Sequence, residues 1–468
     1  MMLRLAANVR KHTLPLATLA LLAGLLTPVA VNTAPTQAAA PDRKPPRDAE
    51  ITRMVNDVSS RNIERTIRKL VSFGTRNTLS AQDDPQRGIG AARDWLFAEL
   101  NAIAAGTGGR MTVEKQSYVQ PPASRIPEPT VITNVVATLR GDQPESAARH
   151  YVVSGHYDSM CSSPVDAVCD APGANDDASG VAVVLEAARV MSTRKFDATI
   201  VFMAVAGEEQ GLYGSNYFAT QAKAKGLDIQ GMFTNDIVGS ADGENGAAPN
   251  EVRVFSEGVP TAETPQQAST RRSVGGESDG VSRQLARFIG DAADLYTPME
   301  AMPVNRRDRY GRGGDQIPFL EQGFPAVRFS EVHETYEHQH QNVRDENGVE
   351  YGDTIEHVDF DYTARVAKVN VSSLAVLARA PEAPRNAGIR NRLGNDTELR
   401  WDANPATDLA GYEVVWRDST SPTWTHSRSV GNVTSFVVEG KSKDNYQFGV
   451  RAVDTAGHRS PVSFPRPA

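Results

Sequence analysis

Thr199-Ile-Val-Phe-Met-Ala-Val205 is an unbroken apolar run rich in β-branched residues, and it ends in Ala206-Gly207-Glu208-Glu209-Gln210-Gly211. An apolar run without alternation reads as a strand buried on both faces, as in the middle of a mostly parallel sheet. Two adjacent carboxylates follow where that strand should end. Ligands of open α/β sheets collect outside the carboxyl ends of the strands. Two like charges in a sheltered place repel, so a cation is needed beside them. A divalent metal meets that need, with one Glu as ligand and the other left to move protons. By itself the pair would read as a solvated acidic turn, so the interpretation depends on partners elsewhere.

The rest of the chain fits an α/β scheme. Helical spacing covers Ala49 to Phe73, Gly88 to Ile103, Ser179 to Met191, Tyr213 to Lys225, Val281 to Tyr296 and Tyr362 to Arg379. Strand patterns fall on Asn134 to Leu139, Tyr151 to Ser154, Ile229 to Val238, Val252 to Phe255 and Ala326 to Phe329. Residues 240–280 otherwise read as loops. The fold expected is an α/β three-layer sandwich around a mostly parallel twisted sheet, followed by a small all-β sandwich. The composition changes at Ala380-Pro-Glu-Ala-Pro384, and short alternating segments then recur across the remaining residues. In that part the order of Trp401, Tyr412 and Tyr446-x-Phe-x-Val-x-Ala resembles a fibronectin type III module, which would make Tyr446 its tyrosine-corner residue.

A length of 468 residues implies more than one unit. The expected divisions are 1–40, 41–380 and 381–468. The first has Arg4, Arg10 and Lys11, then the apolar Leu14 to Leu26, then Ala38-Ala39-Ala40. This is the pattern of a secretory signal peptide, with a core shorter than the ~20 residues that span a bilayer. The mature chain is therefore expected outside the cytoplasm, secreted or periplasmic, and free of the membrane. Cys161 and Cys169, the only two cysteines, would then meet oxidising conditions and pair. A net charge of −8 and the lack of a basic stripe exclude nucleic acid as an expected partner.

Four more segments bring metal-type donors to strand ends. They are His156-Tyr-Asp158, Asn175-Asp176-Asp177, Asp236, and a dense cluster of His333, Glu334, Glu337, His338 and His340. Each has a plainer reading: a surface His, a helix cap, a turn residue. Together they form an N/O donor set suited to zinc. Its natural use is a two-metal hydrolytic site, with ions ~3.5–4 Å apart.

At these residues the chain resembles the co-catalytic zinc aminopeptidases of metallopeptidase family 28. The resemblance rests on Ser154-Gly-His156-Tyr-Asp158, Gly173-Ala-Asn-Asp176-Asp-Ala-Ser-Gly180 and Ala206-Gly-Glu208-Glu209-Gln-Gly-Leu-Tyr-Gly-Ser215. Asp236, Gly314-Asp315-Gln-Ile-Pro-Phe319 and Gly323-Phe-Pro-Ala326 also carry it. It implies a zinc-exopeptidase fold, two Zn2+ ions and peptide substrates. It also implies residue roles. His156, Asp176, Glu209 and Asp236 would be ligands, with Asp176 bridging. Glu208 would be the general base, and Asp158 would orient His156. The final ligand would be His338 or His340, because an apparent insertion before Asp353-Thr354 obscures the alignment; Gln316 stands where the family often has His. Rival readings are a carboxypeptidase or glutaminyl cyclase on the same scaffold, or a non-catalytic binding or adhesion protein. Arg306, Arg307, Arg309 and Arg312 form a basic loop that would either select acidic groups or be solvated.

Overall fold

The structure is a computed structural model and describes residues 45–468. The expected signal peptide lies outside the described residues. Strands β1 (Met111–Gln120), β2 (Thr130–Leu139), β3 (Arg149–His156), β4 (Thr199–Val205) and β5 (Asp228–Asn235) join three later ones, Glu251–Phe255, Glu300–Val304 and Ala326–Ser330. They form one eight-stranded sheet in the order β1-β2-β4-β3-β5, then Ala326–Ser330, Glu251–Phe255 and Glu300–Val304. The middle strands β4, β3, β5 and Ala326–Ser330 run parallel, and antiparallel pairings flank them.

All seven residues of β4 are buried, and successive side chains serve opposite layers. Ile200, Phe202 and Ala204 join a core with Tyr151 and Val153, capped by the helices Ala178–Met191 and Phe360–Arg379. Val201, Met203 and Val205 join Val152 on the other face, beneath Phe218, Ala219 and Phe319. That two-sided burial makes the three-layer sandwich, and it explains why β4 shows no sequence alternation. Among the described residues no helix is long and apolar enough to cross a membrane.

The structure departs from expectation in several places. The helix expected over 49–73 is two helices, Ala49–Asp57 and Ser60–Val71. Val58 and Ser59 are extended between them, and the Ser59 amide donates to the buried Glu186 carboxylate at 2.7 Å. β1 escaped the sequence pattern because it is an edge strand with Glu114 and Lys115 exposed, a usual defence of sheet edges. Residues 265–273 form a helix, Pro265–Ser273, started by a Thr264–Gln267 capping box.

After Phe360–Arg379 the chain builds two small sheets. Leu399, Trp401, Tyr412, Val414, Phe448 and Val450 form their shared core. The Tyr446 hydroxyl accepts from Lys441 Nζ at 3.4 Å, whereas the tyrosine bonded to upstream backbone is Tyr412, accepting from Asn404 N at 2.7 Å. Tyr446 is therefore not bonded as a tyrosine corner requires.

Candidate metal centre

His156, Glu209 and Asp236 sit where a sheet strand gives way to the next segment, Asp176 just before a helix and His340 in an irregular stretch. His156 is the last residue of β3, and its amide donates to Asp177 Oδ2 at 2.9 Å. Asp177 also caps the helix Ala178–Met191 by accepting from Gly180 N. One carboxylate thus ties strand end to helix start. The same helix start lies against the end of β5, where a Cβ on Gly180 would be 2.1 Å from Asn235 O, so only glycine fits. Asp176 precedes the cap. Its amide and that of Asn175 donate to Asp353, at 2.6 and 2.8 Å. The fully buried Arg76 donates to the carbonyls of Tyr157, Pro172 and Gly173, joining both ligand loops. Asp236 follows β5, and Arg328 on the adjacent strand pairs with its Oδ1 at 2.9 Å.

The Glu208–Glu209 turn leaves β4 through Gly207, whose φ of +76° lies in the left-handed region. Its amides are held by Asp158, which accepts from Glu208 N and Glu209 N at 3.3 and 3.2 Å, and from Thr78 Oγ1. Asp158 was expected to orient His156 through its carboxylate. Its main-chain carbonyl is nearer His156 Nδ1, at 3.1 Å, than Oδ1 is, at 3.5 Å. Either contact keeps a proton on Nδ1 and turns the Nε2 lone pair inward.

Two donor groups result. His156, Asp176 and Asp236 form one, and Asp176, Glu209 and His340 the other; within each, the donor atoms lie within 4.8 Å of one another. Asp176 belongs to both. Its Oδ1 is 3.0 Å from His156 Nε2 and its Oδ2 is 3.0 Å from His340 Nε2. Glu209 Oε2 is 3.2 Å from the same His340 atom, and the buried Glu209 Oε1 has no hydrogen-bond partner.

Glu208 is in neither group and is half-buried. Burial pushes its carboxyl well above the usual range against the pull of His156, and Asp236, Glu209 and Asp315 add to the rise. Burial likewise raises Glu209 and lifts Asp315 to about 7. This many sheltered carboxylates favour uptake of positive charge, and an N/O donor set with an orphaned carboxylate oxygen fits zinc.

The structure distinguishes between the two candidate histidines. His340, with φ +51°, reaches Asp176 and Glu209. His338 instead stacks on His357, ring centroids 3.6 Å apart, and belongs to neither donor group. His340→Ala should weaken metal retention by more than ~10-fold, while His338→Ala should retain metal like the parent protein, as read by equilibrium dialysis against buffered zinc.

Glu334, from the same cluster, is held by Arg253 and Arg309. Burial would raise its carboxyl, but those cations keep it at about 2. Arg309 is thereby committed, and Arg306 lies over the exposed Tyr310 ring. Gln316 donates to Asp308 Oδ2 at 2.5 Å, and Asp308 also faces Arg328 at 3.4 Å. Sequence reading passed over Arg76, Thr78 and Arg328, and it noted Asp353 only as a marker of alignment. Arg328 alone carried a signal, a charge inside the apolar strand Ala326–Ser330; Arg76, Thr78 and Asp353 lie in polar stretches that mark none of them.

The model for peptidase family M28 matches residues 134–372. A probable zinc metalloprotease of Leptosphaeria maculans is 49% identical over 427 residues, covering 91% of this chain and 98% of that protein. One of Pyricularia oryzae is also 49% identical, covering 90% and 85%. Among solved structures, the Legionella pneumophila LapA aminopeptidase superposes with a TM-score of 0.50 at 17% identity, covering 73% of this chain and 78% of that one. The aminopeptidase from Aneurinibacillus sp. strain AM-1 gives 0.50 at 16% identity, covering 71% and 96%. At such identities these two likenesses bear on the fold alone.

Proposed function

Because the chain belongs to peptidase family M28 and is a zinc metalloprotease, we propose that it is an exported aminopeptidase working with two zinc ions. The observation that carries this reading is Asp176, whose two oxygens each face a different imidazole. Such a carboxylate is shaped to be shared between two cations. His156 and Asp236 would hold one ion, and Glu209 and His340 the other. The chemistry zinc supplies when bound is Lewis acidity, polarising a carbonyl and making water more acidic.

The remaining work belongs to the chain. Glu208 takes the proton of the attacking water and passes it to the nitrogen of the leaving amine, so one carboxyl acts first as base and then as acid. Asp158 holds both turn amides and so fixes where Glu208 points. Arg328 neutralises one oxygen of Asp236 and leaves the other free to bind. The excess of carboxylates suits a substrate's cationic α-amine better than a C-terminal carboxylate, which favours an aminopeptidase over a carboxypeptidase. Two donor groups sharing one Asp favour two ions over the single zinc of cyclase chemistry.

Export is supported by the N-terminal sequence pattern and by the Cys161–Cys169 disulfide. The fibronectin-type reading of the C-terminal part is supported by its paired sheets and its Trp401–Tyr412 packing, rings 5.3 Å apart.

Aminoacyl chromogenic substrates with free and acetylated amines test the activity, and elemental analysis of the same preparation tests the metal content. Hydrolysis confined to free amines, with two zinc ions per chain, is expected. Equal turnover of the acetylated series would overturn the aminopeptidase reading.

A further inference from the structure

We infer that the disulfide-closed loop 161–169 is a positioning device for one of the two metal subsites, the one made by Asp176, Glu209 and His340. The inference rests on the two-metal reading above. His340 lies in a stretch, residues 331–343, with no strand or helix to hold it. On the side before the ligand, Gln339 donates to Glu334 at 2.9 Å; on the side after it the hold is a reciprocal pair with the disulfide loop. Asn342 N donates to Ser162 Oγ at 2.9 Å, and Ser162 N donates to Asn342 Oδ1 at 3.3 Å. Asn342 is two residues from the ligand, and Ser162 adjoins the half-cystine Cys161.

The same loop reaches the second ligand from another side. The Pro164 carbonyl accepts from Gln210 Nε2 at 3.0 Å and from Asn77 Nδ2 at 3.1 Å. Gln210 directly follows Glu209 and is itself buried. On the returning limb Arg87 donates to Val168 O and Asp170 Oδ1 at 3.0 and 2.9 Å. The bond between Cys161 and Cys169, eight positions apart, closes these contacts into one unit. Opening it would release the limb carrying Ser162 to sample other conformations, and a short loop whose Val165 and Val168 are exposed has few apolar contacts to resist that.

The other subsite does not depend on this loop. His156 is fixed by Asp177 and by the Asp158 carbonyl, and Asp236 by Arg328. Loss of the disulfide should therefore be felt by one ion and not the other. A merely structural role would not produce that asymmetry.

The test is a zinc-binding isotherm of the exported full-length protein and of its C161S/C169S variant, each stripped and reloaded from a metal buffer. The parent should take up two ions. The variant should bind one as the parent does and the other ~10–100-fold more weakly, the usual cost of disturbing the groups that orient a ligand. An S162A/N342A variant, which keeps the disulfide, should shift the same single step in the same direction. This variant decides the matter if the cysteine variant does not fold. Two unchanged steps in a folded variant would overturn the inference and leave the two-metal reading standing. A single step in the parent would overturn that reading and this inference with it.

Discussion

Glu208→Gln should lower kcat by ~10²–10⁴-fold, the range spanned by loss of a positioned general base, while zinc content and fold stay as in the parent protein. The substitution is nearly isosteric and removes only the capacity to take up a proton. Glu208 stands outside both donor groups, so the substitution removes no ligand. It is also surrounded by like charge, since Asp236, Glu209 and Asp315 all push its carboxyl upward. Neutralising it relieves repulsion, so thermal stability should be equal or slightly higher. The combination is diagnostic: a ligand variant such as His340→Ala loses metal and activity together, whereas this one loses activity alone. Steady-state kinetics on an aminoacyl chromogenic substrate, with zinc measured on the same sample, would check it. Activity within a few-fold of the parent, at full zinc content, would remove Glu208 from the role of base.

The parts of this site legible in the sequence were those written locally. The β4 run, its abrupt end in two glutamates and the acidic opening of the helix at Ala178 are each contained in a few residues, and a strand end is a position that periodicity can locate. The segments that carry His156, Asp176, Glu209 and Asp236 stood out locally, the family resemblance singled out these four as ligands, and they do converge. The supports were not legible because each acts over a long separation. Arg76 reaches Gly173, Asp353 reaches Asp176, and Thr78 reaches Gly207. No local pattern reports such a pairing. The choice between His338 and His340 failed for another reason: both lie in irregular backbone, where no period fixes which side chain faces inward. The Ala49–Val71 region misled in the opposite sense, since its apolar spacing continues through Val58 although the backbone turns there.

The C-terminal part is a second case in which sequence and structure differ in emphasis, and it leads to the other large prediction. The change of composition after Arg379 suggests a separable appendage. In the structure its buried Arg417 pairs with both oxygens of Asp279, at 2.9 and 2.7 Å, and Asp279 also holds Arg287 at 2.8 Å and Gln284 at 3.0 Å. Trp424 donates to Gln284 and lies near both guanidinium groups. Asp279→Ala would leave two arginines buried with no counter-charge, a loss that costs ~3–5 kcal/mol when one partner of a buried pair is removed. The melting temperature should fall by many degrees. A triple variant, D279L/R287M/R417M, should recover much of the loss, because apolar groups of similar size need no counter-charge there. The damage should also spread. Gln284 belongs to the helix Val281–Tyr296, whose Ser282 hydroxyl accepts from Ala326 N, and Ala326 opens the strand that carries Arg328 to Asp236. Zinc retention in Asp279→Ala should therefore decline at temperatures below the parent's melting point, read by calorimetry beside a zinc-release dye. An Asp279→Ala protein that melts with the parent would mean that the C-terminal part is attached without being coupled.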